Sequence, residues 1–175
     1  MLHGRRKRVT GMDSDIRPMT RRDIDGVYQV EVECFRSPWS RNSLQAELRN
    51  NLAHYHVMEA DGRIIGYAGM WVIYEEAHIT NIAVREAYRR QGRAERILLS
   101  MMESAVLLGA ECMTLEVREN NTAAQQLYAK LGFVRKGFRP RYYSDTGEGA
   151  IILWNLDLKK TLEQCGKERE KHESV

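Results

Sequence analysis

The chain has 175 residues, the length of one domain, and 43% of them are hydrophobic, enough to bury a core. Its net charge of +3 is too small to argue by itself for a nucleic-acid partner, and no apolar run approaches the roughly 20 residues that cross a bilayer. The three cysteines, Cys34, Cys112 and Cys165, are odd in number and lack C-x-x-C spacing, so they read as free thiols of a reducing compartment; the five histidines form no ligand pattern, so no metal is expected.

The start, Met1 to Arg8, is basic, but no apolar segment follows it, so it does not read as a secretory signal. Residues 1–12 read as a solvated extension, with a nucleic-acid arm as the alternative. Ile16 to Met19 predicts a short strand, and Thr20 with Asp23 three residues on predicts the start of a helix that turns Ile24, Val27, Val30 and Cys34 inward. Ser37-Pro38 breaks that helix, and Ser40 can cap a second one bearing Leu44 and Leu48. Phe35 and Trp39, in the break, either line a substrate groove or anchor the core.

His54 to Ala60, the turn Asp61-Gly62 and the long apolar run Arg63 to Tyr74 predict a hairpin whose second strand is central. Glu75-Glu76 leads into a further strand that ends Ile79-Thr80-Asn81-Ile82-Ala83-Val84, completing an antiparallel meander. A basic turn with one glycine follows, Tyr88-Arg89-Arg90-Gln91-Gly92-Arg93-Ala94, and then a helical pattern with Ala94, Ile97, Leu98, Met101, Met102, Ala105 and Leu108 on one face. The first amides of a helix have no internal partners, and glycine lets an anion approach them. Taken alone, the turn leaves two readings open, an anion site and a plain connection with solvated arginines.

Gly109 suits the end of that helix, and Cys112 to Val117 predicts a strand parallel to the Ile79–Val84 one, since a helix separates them. A second helix from Asn121 to Leu131, closed by Gly132, and two closing strands, Phe133 to Arg139 and Gly149 to Leu158, complete the domain. The organisation expected is a basic extension at 1–12, one domain at 13–158 and a charged tail at 159–175 that reads as a frayed helix or as disorder.

Arg89-Arg90-Gln91-Gly92-Arg93-Ala94 resembles the acetyl-CoA loop of the GNAT acetyltransferase superfamily, Gln/Arg-x-x-Gly-x-Gly/Ala, and Leu115-Glu116-Val117 through Asn121, then Leu127-Tyr128 and Leu131-Gly132-Phe133, resemble the rest of its cofactor half. Phe35-Arg36-Ser37-Pro38-Trp39-Ser40, Asn81-Ile82-Ala83-Val84 and Tyr142-Tyr143 before Ala150-Ile151-Ile152 are similar to the ribosomal-protein-alanine N-acetyltransferase branch. Ala94 stands for the commoner second glycine, and Glu148-Gly149-Ala150 departs from the usual Glu-Asp-Ala.

The resemblance implies an α+β fold: a mostly antiparallel sheet of six to seven strands with one splayed parallel pair, flanked by about four helices. It implies that the pantetheine arm of acetyl-CoA meets the backbone of Ile82, Ala83 and Val84, that the pyrophosphate lies on the amides of Gln91, Gly92, Arg93 and Ala94 with Arg89, Arg90 and Arg93 adding charge, and that Asn121 contacts the cofactor, although Asn121 also reads as a helix cap. It assigns Glu116 as general base and Tyr128 as general acid; their plainer readings are a carboxylate paired with Arg118 and a core tyrosine. Tyr142 and Tyr143 either clamp the acceptor or are surface turn residues.

An N-terminal amine, with a pKa near 7.7–8.0 against about 10.4 for lysine, is roughly 3 kcal/mol easier to deprotonate at neutral pH. With the branch resemblance, the expected activity is acetylation of a protein N-terminus, that of a small-subunit ribosomal protein beginning with alanine, by a cytoplasmic monomer without membrane or specific nucleic-acid partners. The rivals are a GNAT enzyme for lysines or small amines and a non-catalytic acyl-CoA- and RNA-binding ribosome-associated module.

Overall fold

The computed structural model describes residues 14–173, so the basic extension at 1–12 lies outside the described residues. Seven strands make one sheet in the order β1-β2-β3-β4-β5-β7-β6: β1 Asp15–Pro18, β2 Ala53–Ala60, β3 Arg63–Ile73, β4 Glu76–Val84, β5 Cys112–Arg118, β6 Val134–Arg139 and β7 Ala150–Asn155. Every neighbouring pair is antiparallel except β4 and β5, the parallel pair expected from the intervening helix. The helices are α1 Ile24–Cys34, α2 Arg41–Glu47, α3 Arg93–Leu107, α4 Thr122–Lys130 and α5 Leu158–Glu173.

Local chemistry places the joints. The carboxylate of Asp23 accepts from the Thr20 backbone N–H and hydroxyl at 2.7 and 2.9 Å, opening α1 through a short 3-10 turn. Ser40 Oγ accepts from Ser43 N to start α2. Asp61 and Gly62 both take positive φ, 50° and 73°, as a two-residue hairpin turn of the I′ kind demands.

The sheet carries a core on each face. One holds Met70, Ala77, Met113, Leu115 and Val117 against Ile97, Leu98, Met101 and Met102 of α3. The other holds Val57, Tyr67 and Ala83 against Val27 and Val30 of α1 and Leu44 of α2. Along β5 the pattern alternates strictly, so Met113, Leu115 and Val117 face α3, while Thr114 and Glu116 face the α1 side.

The C-terminal end differs from expectation. The last strand stops at Asn155 rather than running to Leu158, because Asp157 Oδ1 accepts from Lys160 N at 3.0 Å and starts a fifth helix. The charged stretch expected as a tail is α5: Leu158 and Thr161 are buried, and Leu162 and Cys165 pack on the α3 core, leaving the charges outward.

Candidate active site

β4 and β5 pair only at Glu76–Cys112, Ala77–Met113 and His78–Thr114. Both strands continue, to Val84 and Arg118, without pairing, so a wedge opens between them. The strand itself supplies a cause. β3 matches Gly69 with Asn81 and Met70 with Ile79, leaving Thr80 as an extra residue, and such a bulge bends its strand. Ile82, Ala83 and Val84 thus lie on a stretch that no neighbour pairs on the β5 side.

At the mouth of the wedge the chain turns into α3. Gly92 is the N-cap with φ 69°, and Arg90 also has positive φ. A Cβ built on Gly92 would meet nothing within 4 Å. Among the described residues the amides of Gln91, Gly92, Arg93 and Ala94 donate to no backbone carbonyl. Open space, free amides and an unpaired strand edge fit a thioester donor carrying a diphosphate.

The arginines of the turn are less uniform than expected. Arg93 is buried, its guanidinium 5.5 Å from the Tyr88 ring and its Nε on Gln91 Oε1, so this charge is folded inward instead of standing in solvent. Arg89 Nε donates to Val84 O at 2.8 Å, linking turn and strand end. Arg90 is exposed. Asn121 caps α4, its Oδ1 accepting from Ala124 N.

Glu116 stands two residues beyond the last paired position of β5, at the root of the wedge. Its partner is not Arg118: Glu116 Oε2 lies 2.7 Å from His78 Nε2, and the bond to His78, with Arg139 nearby, holds the carboxyl below its ordinary range. The two residues line a cavity of ≈ 380 Å³ with Trp71, Ile152, Trp154 and Arg139. A larger cavity near the β2–β3 turn, ≈ 670 Å³, is a surface groove whose Arg17 and Arg85 are tied to Asp23, Glu59 and Glu33; it shares no residue with the wedge.

Tyr128 approaches from the α3 side, buried and edge-on to Phe133 at 5.8 Å, and burial pushes its phenol well up. Tyr143 is the electrostatic neighbour of both Tyr128 and Glu116, and burial raises it to about 12. Its ring lies under the Arg118 guanidinium at 3.9 Å, while Arg118 also binds both carboxylate oxygens of Asp145 and reaches Glu148. That set of contacts ties the loop after β6 to the end of β5. Tyr142 stacks edge-on against Tyr143 at 5.1 Å and is 45% exposed, so only Tyr143 turns inward.

Phe35 and Trp39 pack, partly buried, on the α1-side core. They are held by Glu31, a fully buried carboxylate that accepts from Trp39 N at 2.7 Å and from the Tyr67 hydroxyl, and that burial keeps above the ordinary range. Glu47 plays a similar part in α2, accepting from Trp71 Nε1 at 2.7 Å.

His78, Arg139, Glu31 and Trp71 were not singled out by sequence, and Arg118 was named only as a partner of Glu116. His78 and Glu116 are 38 positions apart and meet only through the β4–β5 register. The signal available for Glu31 was a lone charge one residue from Val30 on the inward stripe of α1.

Residues 24–133 match the Acetyltransferase (GNAT) family. The chain is 44% identical over 140 residues, 79% of its length and 93% of the other's, to a Bacillus subtilis protein provisionally named [ribosomal protein bS18]-alanine N-acetyltransferase. It is 31% identical over 133 residues, 75% and 89% of the two chains, to the Escherichia coli [ribosomal protein bS18]-alanine N-acetyltransferase. The crystal structure of the Escherichia coli ribosomal-protein-S18-alanine N-acetyltransferase superposes with a TM-score of 0.75 at 29% identity, covering 81% of this chain and 92% of that one.

Proposed function

The chain belongs to the GNAT acetyltransferase family, and from that premise we propose that it acetylates the N-terminal α-amine of a small-subunit ribosomal protein beginning with alanine, with acetyl-CoA as donor. The observation that carries this reading is the wedge between β4 and β5, with free amides at its mouth and Glu116 at its root. The donor's diphosphate sits on the Gln91–Ala94 amides, its arm runs along Ile82, Ala83 and Val84, and the thioester reaches the root of the wedge. The acceptor enters from the opposite face, between the Phe35–Trp39 loop and the loop bearing Tyr142 and Tyr143.

The amine loses a proton to the Glu116 locus and attacks the thioester carbonyl. The C–N bond forms, the C–S bond breaks, and the Tyr128 hydroxyl protonates the departing thiolate. The Tyr128 phenol holds its proton at neutral pH, as a donor must, and burial makes it a weaker acid than a solvated tyrosine.

Peptides beginning with alanine, matched peptides with a blocked N-terminus and one lysine, and a polyamine are incubated with acetyl-CoA, and the acetylated nitrogen is located by fragmentation mass spectrometry. Acetyl on the α-amine alone supports the proposal; equal or faster acetylation of the lysine or polyamine overturns it. Intact masses of ribosomal proteins from cells with and without the protein then identify the acceptor, as one small-subunit protein lighter by one acetyl group in its absence.

A further inference from the structure

We infer that the proton taken from the acceptor amine is held by His78, at Nδ1, and that Glu116 serves to hold the imidazole in place through its Nε2–H. The inference rests on the N-terminal acetyltransferase reading above and alters the division of labour within it.

The geometry starts from the 2.7 Å contact between His78 Nε2 and Glu116 Oε2. Glu116 is ionised at neutral pH, since the imidazole and Arg139 both favour its charged form. An ionised carboxylate only accepts, so the hydrogen between the two atoms belongs to Nε2. In the neutral ring the remaining lone pair is then on Nδ1, and Nδ1 has no partner among the described residues. A carboxylate that fixes one ring nitrogen so that the other works as a base is a recurring catalytic device.

The proton balance favours the same assignment. A carboxyl group held below its usual range by its imidazole partner is a weak acceptor for a proton from an α-ammonium. The side chain of His78 is 40% exposed, whereas that of Glu116 is 14% exposed, so a proton on His78 has a route to water that one on Glu116 lacks.

The titratable and charged groups facing His78 are Glu76 on its own strand, Glu116 on β5 and Arg139 on β6, with Tyr143 beyond Glu116; Trp71 and Trp154 form the uncharged walls. The amine sheds two protons in the reaction. The first goes to His78 Nδ1 and on to solvent as the nitrogen lone pair attacks. The second, lost from the nitrogen of the tetrahedral intermediate, balances the one that Tyr128 gives to the thiolate.

The test compares kcat/KM for an alanine-terminated peptide from pH 5.5 to 9 in wild type, His78→Gln and Glu116→Gln, at saturating acetyl-CoA. In wild type the rate levels off near neutrality. In His78→Gln it falls by about 10²-fold at pH 7 and keeps rising through the ionisation of the amine itself, so the gap closes at high pH. Added imidazole restores part of the loss, and acetyl-CoA affinity and thermal stability stay at wild-type values. A pH-independent loss in His78→Gln, or a profile parallel to wild type, overturns the inference, as does Glu116→Gln losing activity while His78→Gln keeps it. If wild type acetylates no peptide α-amine, it is the proposed function that fails, and that is read before any variant.

Discussion

Replacing Gly92 separates the turn from the site it is proposed to serve. Gly92 has φ 69°, and a Cβ there meets no atom within 4 Å, so Gly92→Ala introduces no clash and is penalised only for the left-handed conformation. That penalty is about 1–2 kcal/mol, which in a chain of this size lowers the melting temperature by roughly 2–8 °C. The same Cβ would stand in open space at the turn whose Gln91 to Ala94 amides donate to no backbone carbonyl. Losing one hydrogen bond to a charged oxygen there is worth about 1.5–3 kcal/mol, or roughly 10- to 100-fold in the dissociation constant of coenzyme A. Gly92→Val, β-branched and bulkier, lies at the upper end of both ranges. Titration calorimetry with coenzyme A, which cannot turn over, and thermal unfolding of the same samples read the two effects apart. A melting temperature lowered as stated with unchanged affinity would show that the glycine serves the turn alone and that the diphosphate docks elsewhere.

Four further substitutions have expected outcomes. Glu116→Gln and Tyr128→Phe should each lower acetyl transfer by about 10²-fold or more while coenzyme A affinity survives; turnover within a few-fold of wild type removes that residue from the mechanism. Arg118→Ala removes the bidentate contact to Asp145 and the cation over Tyr143, so KM for the acceptor peptide should rise by roughly tenfold with coenzyme A affinity unchanged; an unchanged KM would mean that the loop is held by something else. Asp23 is 6% exposed, and the bond from Arg17 lowers it to about 2 from a model-compound value of 3.8, so its contribution is present above pH 4 and lost as pH falls through about 2. Asp23→Asn should therefore cost about 2 kcal/mol at pH 7, shrinking towards zero at pH 2, measured as the difference in denaturant unfolding between the two proteins.

Much of the frame was legible because it depends on local signals. Glycines and caps at Asp61-Gly62, Gly92, Gly109, Ser40 and Asn121 fixed the turns, and the 3.6-residue stripe of α3 fixed its face. What escaped depends on register. Whether Glu116 meets Arg118 or His78 turns on which β4 residue stands beside Thr114, a register that no local signal carries. Of the two readings open for the end of the chain, a frayed helix or disorder, the structure takes the helix: charge dominates α5 by number, yet Leu158, Thr161, Leu162 and Cys165 recur at helical spacing, and four inward residues suffice to dock it.

The same bulge links the fold to the chemistry. Were β4 straight, Ile79 to Ile82 would pair with Leu115 to Arg118, and the sheet would close over the place where donor and acceptor must meet. Because the strands part, Glu116, which faces the α1 side, and Tyr128, which lies in the α3-side core, can serve one opening from opposite faces of a continuous sheet. A donor approaching along α3 and an acceptor approaching under α1 and α2 then never compete for the same surface. An edge left unpaired is ordinarily a liability in a sheet; here it lies inside the sheet, between β4 and β5 with β3 and β7 on their outer sides, where no edge of the sheet is exposed to another chain. A substitution that straightened β4 would therefore strike both half-sites at once. Thr80, whose hydroxyl meets Tyr55 at 3.2 Å while Tyr55 also reaches Glu47, is the residue at which α2 is tied to that bend.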